Sequence, residues 1–313
     1  MGNIDIELMR AKKLYQSKKF EDSYELYSKL YEENPEAFGL WDKRFFAWAI
    51  YRVYAIEINE KSADAIMKVT KLLPQEDCSD NDQPCSYTLC VQNYIYYLVN
   101  EGEYEDAMEW CDLLNPEFLN DTPSEYTTKL EKYYSSKSKA LIGMEEYDDA
   151  IDLCLEALDK LNDPKESGLW FKWRIAKAHR LLEEYDESLE ILLDILNVRK
   201  DWYVYFDIAQ NYFYQLEFDE ALKYAISSAL AEGDVDKKVN LYLMMARILN
   251  DYGDEDESLE HYRLAYSIKK STDGEISDDL AEIAEENHFD DDEDFIALEK
   301  NLREYWRGLD RYD

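Results

Sequence analysis

A short pattern recurs along this chain and fixes most of what it can fold into. An aromatic residue is followed by acidic residues, then a small residue, then an aromatic or apolar residue four positions on. Copies are Phe20-Glu21-Asp22-Ser23 with Tyr27, Tyr104-Glu105-Asp106-Ala107 with Cys111, and Tyr147-Asp148-Asp149-Ala150 with Cys154. Two more are Tyr185-Asp186-Glu187-Ser188 with Leu192 and Phe218-Asp219-Glu220-Ala221 with Ala225. A weaker copy is Glu255-Asp256-Glu257-Ser258 with Tyr262. Upstream lie apolar stripes such as Ile175, Ala178, His179 and Leu182, spaced for one face of a helix. Each copy therefore reads as the elbow between two antiparallel helices. The aromatic plugs the elbow. The acids occupy the first turn of the second helix, where the macrodipole favours negative charge. The small residue lets the two helices approach closely.

The steps between successive small residues are 84, 43, 38, 33 and 37. A step of 84 leaves room for one further unit, expected at 38–73, with a helix over 38–58 pairing with one over 62–73. Seven hairpins result. Polar, proline-bearing stretches at 75–84, 115–125 and 162–168 read as loops.

These residues resemble the tetratricopeptide repeat, whose second helix opens on an aromatic, two polar residues and a small residue. Pro35 sits where that family closes a unit. The family's Trp-x-x-Leu-Gly pattern in the first helix is largely missing, and only the step of 33 is close to its period of about 34. Over residues 4–270 the resemblance implies an all-α fold: a right-handed α-solenoid of about seven such hairpins. It also implies that first helices line a concave groove and that the chain binds another macromolecule.

The pattern gives three segments. Residues 1–270 form the solenoid. Residues 271–294 form an acidic segment with a short helix over 277–286 and a flexible run over 290–294; residues 273–294 hold 12 acids and no Lys or Arg. Residues 295–313 carry an amphipathic helix with Phe295, Leu298, Leu302, Tyr305 and Trp306 on one side, read as the terminal cap that a solenoid needs.

Composition narrows the function. The chain has 71 Asp+Glu against 35 Lys+Arg, a formal net charge of -36, which opposes sequence-indifferent binding to nucleic acid over most of the surface. The N-terminus lacks the apolar core of a signal peptide, and no apolar run reaches the length of a membrane span, so a cytoplasmic protein with no membrane partner is expected. Five cysteines, an odd number, are expected to be reduced thiols. Cys78, Cys85 and Cys90 lack the paired spacing of a zinc knuckle. No phosphate loop or nucleophile elbow is present. The expectation is therefore no enzyme, no cofactor and no metal.

Aligning each first helix on its elbow aromatic gives the inward residues that the resemblance implies. They are Trp41, Arg44, Trp48 and Arg52 in the second unit, Asn93 and Tyr96 in the third, and Lys132 and Lys139 in the fourth. The fifth supplies Trp170, Trp173, Arg174, Lys177 and Arg180; the sixth Tyr203, Phe206 and Tyr214; the seventh Arg247. Residues 172–180 hold four bases and no acid, a departure in a chain so acidic. Two readings stand. Either these bases pair with acids on neighbouring helices, each exposed pair contributing about 0.5 kcal/mol, or they form an aromatic, basic groove for an anionic partner. The partner expected first is a peptide or helical segment of another protein. Asn93 and Lys132 also resemble two members of the family's clamp for a C-terminal carboxylate. Single-stranded nucleic acid and mimicry, in which the acidic surface masks a basic partner, are the alternatives.

Overall fold

The computed structural model describes residues 3–77, 85–119, 127–161 and 165–309. Among these residues all regular structure is helical, and the chain is an all-α solenoid of helical hairpins. It divides into two units, Met1–Phe171 and Lys172–Asp313. Unit 1 holds hairpins α1(Asn3–Gln16)/α2(Phe20–Glu33), α3(Leu40–Ile50)/α4(Ser62–Leu72), α5(Ser86–Glu101)/α6(Tyr104–Cys111) and α7(Lys129–Gly143)/α8(Tyr147–Lys160). The unit boundary falls within α9(Lys165–Leu181), the partner of α10(Tyr185–Val198). Unit 2 continues with α11(Trp202–Tyr214)/α12(Phe218–Leu230) and α13(Val239–Tyr252)/α14(Glu255–Ser271), then α15(Asp278–Glu286) and α16(Phe295–Leu309). The loop expected at 162–168 is shorter than the sequence suggests, because α9 begins at Lys165 and takes Gly168 into its first turns. Parts of the loops expected at 75–84 and 115–125 lie outside the described residues.

Six of the seven elbows close in one way. The residue two before the second helix is left-handed: Lys18, Gly102, Glu145, Glu183, Leu216 and Gly253, with φ from 60° to 82°. The next N–H reaches back five residues: Lys19 to the Leu14 carbonyl (3.0 Å), Glu103 to Leu98 (2.9 Å), Glu146 to Leu141 (2.9 Å). Glu184 to His179 (2.9 Å), Glu217 to Tyr212 (2.9 Å) and Asp254 to Leu249 (3.0 Å) repeat it. This is a Schellman closure, which satisfies an end carbonyl of the first helix and reverses the chain. A side chain costs about 1–2 kcal/mol in that conformation relative to glycine, and four of the six positions carry one. Replacing the exposed Glu145 or Leu216 by Gly should therefore raise stability by up to about 1 kcal/mol each, less the extra entropy of the unfolded chain. A urea-denaturation midpoint that stays put or falls would refute the argument.

The six second helices that follow these elbows start without a side-chain N-cap, and each has two or three acids in its first turn. Charge at the positive helix end thus takes the place of a capping hydroxyl. The small residues Ser23, Ala107, Ala150, Ser188, Ala221 and Ser258 are all buried. Two of them also tie the hairpin: Ser23 Oγ donates to the Ala11 carbonyl (2.9 Å) and Ser258 Oγ to the Ala246 carbonyl (2.8 Å). The elbow aromatics are half-buried. Tyr104 lies so close to α7 that a Cβ at Gly143 would stand 2.3 Å from its ring.

The second hairpin, which lacks the motif, turns differently. Its first helix widens into a π-type turn at Tyr51–Ala55, and Asn93 Nδ2 on α5 donates to the freed Ala55 carbonyl (2.8 Å).

After α14 the chain folds back on unit 2. Helix α15 packs Leu280 and Ala284 against Leu243, Tyr262 and Tyr266. Helix α16 buries Leu298, Leu302 and Trp306 in the core that α12, α13 and α14 share. The Trp306 ring stacks on Tyr242 (5.7 Å, 6°), and its Nε1 donates to His261 Nε2 (2.9 Å). The run at 290–294, expected to be flexible, is tied down. Glu293 accepts a fork of hydrogen bonds from Arg263 (2.6 and 2.5 Å), and Asp291 accepts from Tyr266 (2.5 Å) and Lys270 (2.8 Å). Helix α14 supplies the bases that the segment itself lacks.

The expectation of five reduced thiols is also corrected. Cys85 is disulfide-bonded, whereas Cys90, Cys111 and Cys154 are buried thiols outside any disulfide. An odd count leaves one thiol over but does not forbid a bridge among the rest. Cys78 lies outside the described residues.

Candidate partner-binding face

The expected inward residues of unit 1 divide by what they do. Arg44 donates from Nε and Nη2 to the Asp77 carbonyl (3.0 and 2.7 Å) and lies over the Trp41 ring, so it closes the end of its own hairpin. Asn93 spends its amide on Ala55, which removes it from a carboxylate clamp with the exposed Lys132. Trp48 packs edge-on to Tyr51 (5.4 Å), and the exposed Arg52 covers Phe20 (5.4 Å). Trp41 and Tyr96 stand in solvent, 55% and 59% exposed, and Lys139 is exposed. Trp170, at the end of unit 1, is 38% exposed.

Unit 2 gathers its residues around a carboxylate. Asp207 on α11 is buried and accepts a hydrogen bond from Trp173 Nε1 on α9 (2.5 Å). Burial pushes its carboxyl up, while Arg180, the Trp173 N–H and Lys177 pull it down; burial dominates. Lys177 lies beside the Trp173 ring (6.0 Å). Desolvation pulls its ammonium down, with the Arg180 and Arg174 charges adding to that and Asp207 opposing it. Arg174 is buried beneath this face rather than displayed on it. Arg180 keeps a buried Nε with no hydrogen-bond partner among the described residues. Lys177 and Arg180 also make no ion pair within 4 Å among those residues. Two bases, Lys177 and Arg180, thus share one buried acid. Tyr203 sits edge-on to Trp173 (6.3 Å) and donates to Asp201 (2.7 Å), and Phe206 stacks on Trp202.

One helix over, α11 and α13 enclose an open cleft of about 270 Å³. Phe213, Leu243 and Met244 line it together with Gln210, Asn240 and Arg247, and more of its exposed surface is polar than apolar. Tyr214, half exposed, lines it too and is held flat by stacking on Tyr185 (6.2 Å, 10°). Arg247 is exposed and hydrogen-bonds Tyr262.

Sequence reasoning found Trp173, Lys177, Arg180, Tyr214 and Arg247 but missed Asp207, Gln210, Asn240 and Met244. Asp207 had a signal: it is the single ionisable residue apart from tyrosines in α11, and it shares a helical stripe with the core residues Val204, Ile208 and Asn211. The amides Gln210 and Asn240 carry no charge or bulk to mark them out.

Among the described residues no group of His, Cys, Asp and Glu is placed to hold a metal ion, and no helix is long and apolar enough to cross a membrane. No family model matches the chain, and neither does any curated protein sequence. Among solved structures, a tetratricopeptide repeat protein from Parabacteroides merdae is similar at 15% identity and a TM-score of 0.49, covering 90% of this chain and 97% of that one. Residues 41-end of MamA from Desulfovibrio magneticus are similar at 13% identity and a TM-score of 0.43, covering 60% and 97%. The nearly identical TPR-like repeats of a putative kinesin light chain from Podosopora anserina are similar at 14% identity and a TM-score of 0.44, covering 58% and 94%. At these values the likenesses carry no argument about activity or partner.

Proposed function

We propose that this chain of divergent tetratricopeptide-like hairpins is a non-catalytic scaffold that holds an acidic segment of a partner protein on the first-helix face of unit 2. One observation carries the reading. In a chain of net charge -36, Lys177 and Arg180 both act on a single buried carboxylate, Asp207. That leaves a local positive surplus, with Arg180 Nε still unbonded. Pairing with neighbouring acids, the competing account of these bases, uses up only part of their charge.

A desolvated cationic patch attracts carboxylates more strongly than an exposed one, and the guanidinium of Arg180 can take a carboxylate on two nitrogens. The acidic remainder of the surface suits specificity: it repels acidic chains everywhere except here. Mimicry by the C-terminal acids has less support, because Asp291 and Glu293 are already engaged by Lys270 and Arg263.

Reversing the charge with Lys177→Glu and Arg180→Glu should weaken capture of an acidic partner at least about tenfold, or roughly 1.4 kcal/mol, with the helical circular dichroism unchanged. Fluorescence titration with labelled poly-glutamate, single-stranded RNA and a neutral peptide reads this directly. Equal affinity of the wild type and the double variant for poly-glutamate would overturn the proposal. Tight, charge-dependent binding of RNA but not of poly-glutamate would replace it with the nucleic-acid reading.

A further inference from the structure

The first elbow breaks a rule that the other five keep. The residue just before the second helix is Glu103, Glu146, Glu184, Glu217 or Asp254 in the later elbows, and Lys19 in the first. The residue before that is also a base, Lys18, at the left-handed position that Glu145 and Glu183 fill elsewhere. A base beside the positive end of a helix works against folding, so the elbow itself gives no reason for Lys18-Lys19. Both are exposed. The reversal is part of a larger one. Residues 8–20 and 43–56 hold eight bases and no Asp or Glu, where the chain's average would place about six acids. Helices α1 and α3 pack together, and their rings bring the cations into one surface. Tyr15 meets both Phe20 (5.3 Å) and Phe45 (5.7 Å). Lys12 Nζ lies over the Phe45 ring (4.6 Å). Arg52, in the π-type turn that extends α3, lies over Phe20 (5.4 Å), the ring that follows Lys19. Lys68, Lys137 and Lys160 of the same unit each reach a carboxylate within 4.0 Å. Lys12, Lys18, Lys19 and Arg52 reach none among the described residues.

We infer that this surface around the first elbow is a second acid-binding site, and that its occupant is a carboxylate-rich segment of a partner protein. It shares no residue with the unit 2 site and does not depend on it. The occupant follows from charge and from what the rings already hold. Four clustered cations with no acid partner attract an anion. The rings of Phe45 and Phe20 are taken up by Lys12, Arg52 and Tyr15, so they do not offer the stacking that single-stranded nucleic acid uses. A net charge of -36 also opposes the approach of a polyphosphate. Contact with a ring steadies each cationic head group, and its outward N–H groups can donate to a carboxylate. These cations are more exposed than the pair in unit 2 and therefore hold an acid more weakly.

Lys18→Glu with Lys19→Glu tests it, because the pair restores the acids that other elbows carry at these positions. Its thermal midpoint should equal or exceed that of the wild type, so lost binding cannot be put down to lost folding. The full chain is titrated with deca-glutamate by calorimetry. The wild type should bind in two steps, and Lys177→Glu with Arg180→Glu should remove the tighter one. In that background the elbow variant should weaken the remaining step at least about tenfold, and adding Lys12→Gln and Arg52→Gln should abolish it. Lys29→Glu with Lys71→Glu makes the same change of charge at exposed lysines on α2 and α4 and should leave that step unchanged. A remaining step that ignores the elbow variant, or that the Lys29 and Lys71 changes weaken equally, overturns the inference. So does elbow-dependent binding of oligo-uridylate that is tighter than that of deca-glutamate, which would make the occupant a nucleic acid. A single wild-type step that the elbow variant removes and the Lys177 and Arg180 changes do not would keep this site and strike the one in unit 2.

Discussion

Trp306→Ala is expected to destabilise unit 2 by about 3–5 kcal/mol, the usual cost of truncating a fully buried tryptophan. Trp306 is 0% exposed and is the point at which α16 enters the core, stacked on Tyr242 and donating to His261. Truncation empties that volume and takes the donor from His261 Nε2, beside a buried Tyr242 hydroxyl that has no partner among the described residues even in the intact protein. Thermal melting or urea denaturation of the full chain measures the loss. Trp306→Phe separates the two contributions, since it keeps most of the stacked area but not the N–H. It should recover more than half of the loss. A cost below about 1 kcal/mol for the alanine variant would mean that α16 is not docked in solution.

The second large effect is in pH. His261 is held neutral on both nitrogens: Nδ1 faces the Glu257 carbonyl (2.7 Å) and so carries the proton, while Nε2 accepts from Trp306. A second proton would have to sit on Nε2, against the Trp306 N–H, and leave a charge in a site from which water is excluded. Burial pulls the imidazole down to about 4, with the bond to the Glu257 carbonyl opposing, from about 6.5 in the unfolded chain. Between those values the unfolded state binds the proton and the native state does not. This group's contribution is therefore whole above about pH 6.5 and falls by about 1.4 kcal/mol per unit as the pH drops toward 4. About 3 kcal/mol is lost in all. The 71 carboxylates also titrate at the lower end of this range, so the comparison must be between proteins. Stability against pH from 7.5 to 4 should be steeper for the wild type than for His261→Gln. Parallel curves would show that the histidine is already charged, or that it reaches solvent.

Much of the fold was legible in the sequence because its information is local. The aromatic, the acids and the small residue act within one turn of the elbow they build; five elbows repeat all three, and a sixth keeps the acids and the small residue. The hairpin at 38–73 was found only by the arithmetic of spacing, and its π-type turn at Tyr51–Ala55 left no mark in residue types. The candidate site was less legible. Bases at helical spacing identified Lys177 and Arg180. Whether Arg44 and Asn93 face a guest or brace the chain depends on which backbone carbonyls the loops bring near, and here those are Asp77 and Ala55. The same holds for the run at 290–294. Its charge was plain, but the bases that hold it, Arg263 and Lys270, lie on another helix.

The attachment of α16 has a consequence for the order of assembly. Elbow closure in six of the hairpins uses bonds that span five residues, so each of those can start forming as soon as it leaves the ribosome. Arg303, by contrast, reaches back 73 and 74 residues to the carbonyls of Leu230 and Ala229. Trp306 must be synthesised before the cavity beside Tyr242 can close. Until then α12 to α14 wait with an apolar seam open to water. A nascent or C-terminally clipped chain is therefore the form of this protein that chaperones and proteases meet as unfinished.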